Sequence, residues 1–245
     1  MISYLPKDRI MDFKKTKKNF LENGYCLFKS KEISKKIIKC KKNYNLNYKS
    51  FFSKSNIAKN LNLLKRFAGD MSVYDILYDK RLLEFLNFLN LKYPVQTGPI
   101  LSHYVSTNSI SKSFGLPFHQ DYTSMCTSLN GCIVWFNINN FKKKKIHGIE
   151  IFPYNKKKII KGKVNNKGVL KINFLDKKKT IKIYPENEVL IMSSFLPHRT
   201  IIDYTSPKSY WRLGISTRYD DLWHRILRGF RLLRYSNIAA EPALD

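Results

Sequence analysis

The hydrophobic period of this chain changes once, near Pro94, and that change limits the folds open to it. Before Pro94 apolar residues recur at helical spacing. Tyr74 to Leu91 carries Ile76, Leu77, Leu82, Leu83, Phe85, Leu86, Phe88 and Leu89, a helical pattern with a break near Asp79. Ile10 to Glu22 predicts a basic helix with Met11, Phe13, Phe20 and Leu21 as its apolar residues, ended by Asn23-Gly24. Tyr25–Phe28 predicts a short strand. Ile33–Lys41 predicts a second helix, capped by Ser30 or Ser34, and Ile57–Phe67 a third. The polar, Ser/Asn-rich stretch Tyr44–Asn56 reads as a loop.

After Pro94 short apolar segments alternate with polar turns. Ile100–Ser106, Gly131–Ile138, Gly148–Phe152, Gly168–Phe174, Thr180–Tyr184, Val189–Ser193 and Trp211–Tyr219 read as strands. The charge runs Lys142–Lys145 and Asp176–Lys179 read as exposed loops between them. From Asp220 to Arg234, Leu222, Trp223, Ile226, Leu227, Phe230 and Leu233 fall near helical spacing, a helix to pack on the barrel. The expected class is mainly β with α. Its core is a double-stranded β-helix (jelly-roll or cupin-like), flanked by N-terminal helices and a C-terminal helix. It is expected as a single domain over 1–245: a mostly helical part to about 93, a jelly-roll core over 94–219, and a tail over 220–245. With 43% hydrophobic residues the chain has enough apolar side chains for a sizeable core.

The formal net charge is +27. One reading is an anionic partner, whether nucleic acid, an acidic membrane or a phosphate- or CoA-bearing substrate. The other is compositional: Lys far outnumbers Arg, whereas specific phosphate recognition favours Arg. Lysines spread along the chain, rather than clustered with aromatics, argue against nucleic acid. The four cysteines, Cys26, Cys40, Cys126 and Cys132, have no Cys-x-x-Cys spacing, so reduced thiols and a cytoplasmic setting are expected. Met1–Asp8 has no apolar run of the secretory kind, and no apolar stretch is long enough to span a bilayer.

The chemistry concentrates at Leu116-Pro117-Phe118-His119-Gln120-Asp121. On an extended strand His119 and Asp121 share a face and Gln120 points elsewhere. An imidazole and a carboxylate side by side can bind a divalent metal, and two His with one carboxylate form the facial set of non-haem Fe(II) oxygenases. With 5 His in the chain, a chance His-x-Asp has odds of roughly one in six on ordinary composition. A third ligand is therefore required, and His198 in Ser193–Arg199 is the best candidate. His103, His147 and His224 have no carboxylate two residues away and read as surface or core histidines.

Several blocks, in order, resemble the phytanoyl-CoA dioxygenase family of Fe(II)/2-oxoglutarate-dependent oxygenases. They are Phe20–Tyr25, Pro117–Asp121, Thr127–Trp135, His147–Pro153, Glu188–His198 and Trp211–Tyr219. The resemblance is dense from about Pro117 to Tyr219. It implies a jelly-roll enzyme with His119, Asp121 and His198 as catalytic metal ligands, Fe(II) as the metal, and 2-oxoglutarate and O2 as co-substrates. Hydroxylation of an unactivated C–H bond of a small molecule would give succinate and CO2 as co-products. It also implies a basic residue for the distal carboxylate of 2-oxoglutarate. Arg212 maps there best, and Arg218, on the same strand face, is its rival. Ser102 and Tyr104, which share a face with Ser106 on the preceding strand, are candidates to assist the co-substrate. Gln120 is a candidate pocket wall, as is Trp135, although core packing is the better explanation of Trp135. Asp121 occupies the position that halogenating relatives leave without a carboxylate, which favours hydroxylation. The alternatives are a nucleic-acid-directed oxidative demethylase and a non-catalytic barrel binding an anionic ligand.

Overall fold

The computed structural model of the chain describes residues 7–47, 57–106, 117–122, 128–139, 146–164, 170–172, 176–207 and 210–223. Helix α1 (Lys7–Asn23) stops at Gly24, whose amide donates to the Phe20 carbonyl (2.8 Å) and whose φ is +77°. A Cβ there would run into the Tyr154 carbonyl, so both the backbone conformation and the space require glycine. Strand β1 (Tyr25–Phe28) follows, then α2 (Lys31–Asn47), whose first turn is capped by Ser30 Oγ accepting from the Ile33 amide at 3.0 Å. Helix α2 continues past Lys41 into the stretch expected to be a loop. The reason is tertiary. Tyr44 is buried, with its ring 5.3 Å from Phe67 and 4.8 Å from Trp211. The rest of that expected loop lies outside the described residues.

Helices α3 (Ile57–Ala68), α4 (Met71–Leu77) and α5 (Lys80–Phe88) complete the helical part. The expected break at Asp79 is present. Its carboxylate accepts from the Arg81 and Leu82 amides (3.0 and 3.3 Å), starting α5, and pairs with Lys36 of α2. Phe13 of α1 joins α5 and β1 through Phe85 (5.1 Å between ring centroids) and Phe28 (6.1 Å).

The strands are β2 (Pro94–Gln96), β3 (Leu101–Ser106), β4 (Cys132–Asn139), β5 (Ile149–Ile151), β6 (Lys163–Val164), β7 (Leu170–Lys171), β8 (Ile181–Ile183), β9 (Val189–Ser193), β10 (His198–Thr200) and β11 (Trp211–Asp221). All pairings between them are antiparallel. The larger sheet runs β1-β9-β4-β11, and the far edge of β11 is shared by β3, opposite Trp211–Ser216, and β2, opposite Tyr219–Asp221. The smaller sheet runs β10-β5-β8, and a bridge between His119 and His198 adds the His-Gln-Asp segment beside β10. Strands β6 and β7 form a separate hairpin.

Side-chain alternation gives the larger sheet two buried faces. Val134, Phe136 and Ile138 of β4, with Leu213, Ile215 and Tyr219 of β11, pack on the helices. Ile133 and Trp135 face the other way and pack with Ile149, Ile151 and Ile183 of the smaller sheet. Trp211 through Asp220 are therefore all buried, as a strand covered by helices on one side and a sheet on the other must be. The same alternation leaves Arg212, Gly214, Ser216 and Arg218 on the face toward the smaller sheet.

Three short strands, β2, β6 and β10, were not expected, and β11 extends to Asp221. Of the strand expected over Gly168–Phe174, Leu170–Lys171 is present among the described residues. The Lys142–Lys145 loop and the tail helix beyond Trp223 lie outside them.

Candidate metal centre

His119 and His198 form one rung of a ladder. The His119 amide donates to the His198 carbonyl (3.1 Å), and the His198 amide donates to the His119 carbonyl (3.0 Å). Side chains directly opposite on adjacent antiparallel strands lie on the same face, and the two imidazole centroids are 4.4 Å apart. Asp121, two residues on, shares that face. Its Oδ1 lies 3.3 Å from His119 Nε2 and 4.0 Å from His198 Nε2. One donor atom from each of the three residues falls within 4.8 Å of the others.

Backbone carbonyls set the tautomers. His119 Nδ1 lies 2.9 Å from the Pro117 carbonyl, and His198 Nδ1 lies 3.0 Å from the Leu196 carbonyl. A carbonyl only accepts, so each Nδ1 carries hydrogen, and the neutral tautomer of each ring turns an Nε2 lone pair toward Asp121. Two imine nitrogens and a carboxylate oxygen converging lone pair to lone pair repel one another unless a cation lies among them. The donor set suits a divalent metal. Burial drives the His198 imidazole down to about 4, helped by the neighbouring His119, so it remains a neutral donor at ordinary pH. Burial pushes the Asp121 carboxyl up. The Arg218 guanidinium, which donates twice to Oδ2, opposes this, and the carboxyl lies below the usual carboxylate range.

Strand β11 brings two buried cations to the same space. Arg218 donates to Asp121 Oδ2 from Nε (3.1 Å) and from Nη2 (2.6 Å). Arg212, 1% exposed, donates from Nη1 to the Gly148 carbonyl at 3.0 Å and lies over the Trp135 ring, 5.1 Å from its centroid. Its Nε is buried with no hydrogen-bond partner among the described residues. Burial lowers the Arg212 guanidinium to about 9, still protonated at neutral pH. A buried guanidinium held by a carbonyl and a ring, with a donor left over, is suited to an anionic ligand. Gly214 lies between the two arginines on this face. A Cβ on it would stand 3.0 Å from the Trp135 ring, so the absent side chain is what lets Trp135 lie across β11.

Three of the expected contributors are placed elsewhere. Ser102 and Tyr104 pair with Ile215 and Leu213, on the helix-facing side, and Tyr104 stacks on Trp211 with centroids 6.0 Å apart. Strand alternation turns His103 toward the site instead. It pairs with Gly214 and is lowered to about 4 by burial and by the charges of Arg212 and Arg218. The register of β3 against β11 decides this, and nothing in the local sequence reveals it. Gln120, expected as a pocket wall, is turned away from His119 and Asp121. Its amide donates to the Lys158 and Phe195 carbonyls and accepts from the Ile160 amide (2.8 Å), pinning the 158–160 segment behind the metal-binding strand. His147, read as surface or core, is fully buried and accepts at Nδ1 from the Asp203 amide (3.1 Å). His224 lies outside the described residues.

No protein-family model matches the sequence, and no curated protein matches it. Solved structures do share the fold. The apo form of ThoJ, described as a non-heme monooxygenase, superposes with a TM-score of 0.57 at 10% identity, covering 84% of this chain and 77% of that one. SnoN, a non-heme alpha ketoglutarate dependent epimerase from nogalamycin biosynthesis, gives 0.56 at 9% identity over 86% and 84% of the two chains. EvdO2 from Micromonospora carbonacea var. aurantiaca gives 0.54 at 11% identity over 84% and 90%. At these identities the likeness is one of fold.

Proposed function

We propose that this chain is an Fe(II)- and 2-oxoglutarate-dependent oxygenase of the phytanoyl-CoA dioxygenase type, a hydroxylase of a small molecule, built as one domain around a double-stranded β-helix. The observation that carries the reading is the convergence of His119 Nε2, His198 Nε2 and Asp121 Oδ1 inside the sandwich. The strand order supports the architecture, with one sheet ordered β9-β4-β11-β3 and the other ordered His119 segment-β10-β5-β8. Structures of the same fold include SnoN in complex with Fe3+, alpha ketoglutarate and nogalamycin RO, and EvdO2 complexed with 2-oxoglutarate.

The residues fit the group. His119, His198 and Asp121 would hold Fe(II) by one atom each. Arg212 would bind the distal carboxylate of 2-oxoglutarate, with the Trp135 ring against its guanidinium. Among the described residues, Arg212 and Arg218 on β11 and neutral His103 opposite Gly214 give this face of the sheet a positive balance that accepts a dianion beside a divalent metal. Iron with its co-substrate and O2 supplies the oxidant for C–H cleavage, with succinate and CO2 as co-products. The protein orients the donors, neutralises the anion and keeps water out through the two-sided burial of β4 and β11. Asp121 occupies the position a halide would need, which supports hydroxylation. The buried, free Cys26, Cys40 and Cys132 fit a reducing, cytoplasmic setting. Among the described residues no helix is long and apolar enough to cross a membrane.

The decisive measurement is succinate formed from 2-oxoglutarate by the Fe(II)-loaded protein, alone and with panels of small molecules and of methylated single-stranded DNA and RNA. Succinate should form, rise with a small-molecule substrate, and vanish in His119→Ala and Asp121→Ala. Turnover surviving both substitutions would sink the iron assignment. Stimulation by nucleic acid alone would favour a demethylase.

A further inference from the structure

We propose that Arg218 is a positioning residue that restricts Asp121 to one metal-binding oxygen and so keeps a coordination position open. The inference rests on the metal-centre reading above and extends it to a residue outside the ligand set.

The geometry is asymmetric in an informative way. An arginine whose role is only to neutralise a buried aspartate does best by forking, one nitrogen to each carboxylate oxygen. Arg218 instead places both Nε and Nη2 on Oδ2, at 3.1 and 2.6 Å, while Nη1 is buried without a hydrogen-bond partner among the described residues. Oδ2 thereby carries both hydrogen bonds from Arg218, and Oδ1 faces the imidazoles at 3.3 and 4.0 Å. A carboxylate with both oxygens free can chelate a metal and take two positions. Held this way, Asp121 takes one. With His119 and His198 that makes three one-atom ligands, and a six-coordinate metal keeps three positions for other ligands. Arg218 can hold the carboxylate so firmly because it comes from the opposite sheet. Asp121 belongs to the segment beside β10, and Arg218 is anchored in β11 between β4 and the β2–β3 edge, its carbonyl accepting from the Thr97 amide at 2.9 Å.

Co(II) is the probe, because its d–d absorption reports coordination number as well as occupancy. The full chain is titrated with Co(II) as wild type, Arg218→Met, Arg218→Lys, Asp121→Ala, and the Asp121→Ala/Arg218→Met double variant, with thermal melts of each metal-free protein alongside. Loss of an outer partner of a metal ligand typically weakens binding by roughly 10- to 100-fold. Arg218→Met should fall in that range and show an altered visible spectrum, as the second carboxylate oxygen of Asp121 replaces a water on the ion. Arg218→Lys, offering one nitrogen, should lie between it and the wild type. In the Asp121→Ala background the Met substitution should cost less than about threefold, because Arg218 acts through Asp121. A folded Arg218→Met that binds Co(II) with wild-type affinity and spectrum would overturn the proposal. So would a Met penalty that is the same with and without Asp121, the mark of a merely structural role. If Arg218→Met does not fold, the Lys variant decides, and unaltered affinity and spectrum there overturn it. A wild-type protein that takes up no Co(II) at His119 and His198 instead defeats the metal-centre reading itself.

Discussion

Arg212 and Arg218 are the same residue type, six positions apart on one strand face, yet their surroundings divide their work. Arg218 is committed to Asp121. Arg212 is held by a carbonyl and a ring, with a nitrogen to spare. From sequence both could be placed inside the barrel, and strand alternation alone was enough for that. What separates them is the partner strand, which sequence does not carry. Replacing Arg212 with Met should leave Co(II) affinity nearly unchanged while raising the 2-oxoglutarate concentration for half-maximal turnover by roughly 10- to 100-fold, the worth of a charge-assisted hydrogen bond of about 1.5–3 kcal/mol. Steady-state kinetics at saturating Fe(II) check this, and an unchanged requirement for 2-oxoglutarate would remove Arg212 from the site. The same limit on local reading explains Ser102, Tyr104 and His103. That Ser102 and Tyr104 oppose His103 across the strand is legible from period two. Which side faces inward depends on register against β11.

At the scale of elements, apolar periodicity was sufficient wherever a segment buries a full face. The helices α1, α3, α4 and α5 and the strands β4, β9 and β11 lie close to where the pattern puts them, and Asp79 marks the break between α4 and α5 through its side-chain cap. Elements of two or three residues with polar side chains, such as β10 (His-Arg-Thr), carry too few positions for any period to register. They exist because a neighbouring strand supplies the hydrogen bonds. Helix α2 failed in the opposite direction, since its Lys- and Asn-rich second half has little apolar signal beyond Tyr44. That one ring, wedged between Phe67 and Trp211, ties α2 to α3 and to the start of β11. Tyr44→Ala should therefore destabilise the protein by about 3 kcal/mol, in the range for emptying a buried aromatic site, and should lower α2 protection in hydrogen exchange. A urea midpoint within error of wild type would contradict this.

For the molecule as a whole, acid is the revealing variable. In the metal-free protein His103 and His198 hold pKa values of about 4, whereas in an unfolded chain both titrate near about 6.5. Between those values the unfolded state binds more protons than the folded one, so stability falls as pH drops, with a slope approaching about 2.7 kcal/mol per pH unit for the two groups together. Asp121, depressed below the carboxylate range, holds its contribution through that window and loses it only at lower pH. Thermal melts of metal-free protein from pH 7 to 4.5 should show the decline, and a flat profile would contradict the burial of both imidazoles. The ladder rung joining His119 to His198 has a further consequence, for metal selection. Because the two residues exchange both backbone hydrogen bonds, the reach between their imidazoles is fixed by strand spacing and not by adjustable loops. That fixes the donors, but three nitrogen and oxygen donors with the rest of the coordination sphere open have little means of favouring one first-row ion over its neighbours. Affinity should then simply climb from Mn2+ through Fe2+, Co2+ and Ni2+ to Cu2+, as competition titrations would read. Iron in such a centre would be won by supply in the cell rather than by preference in the protein.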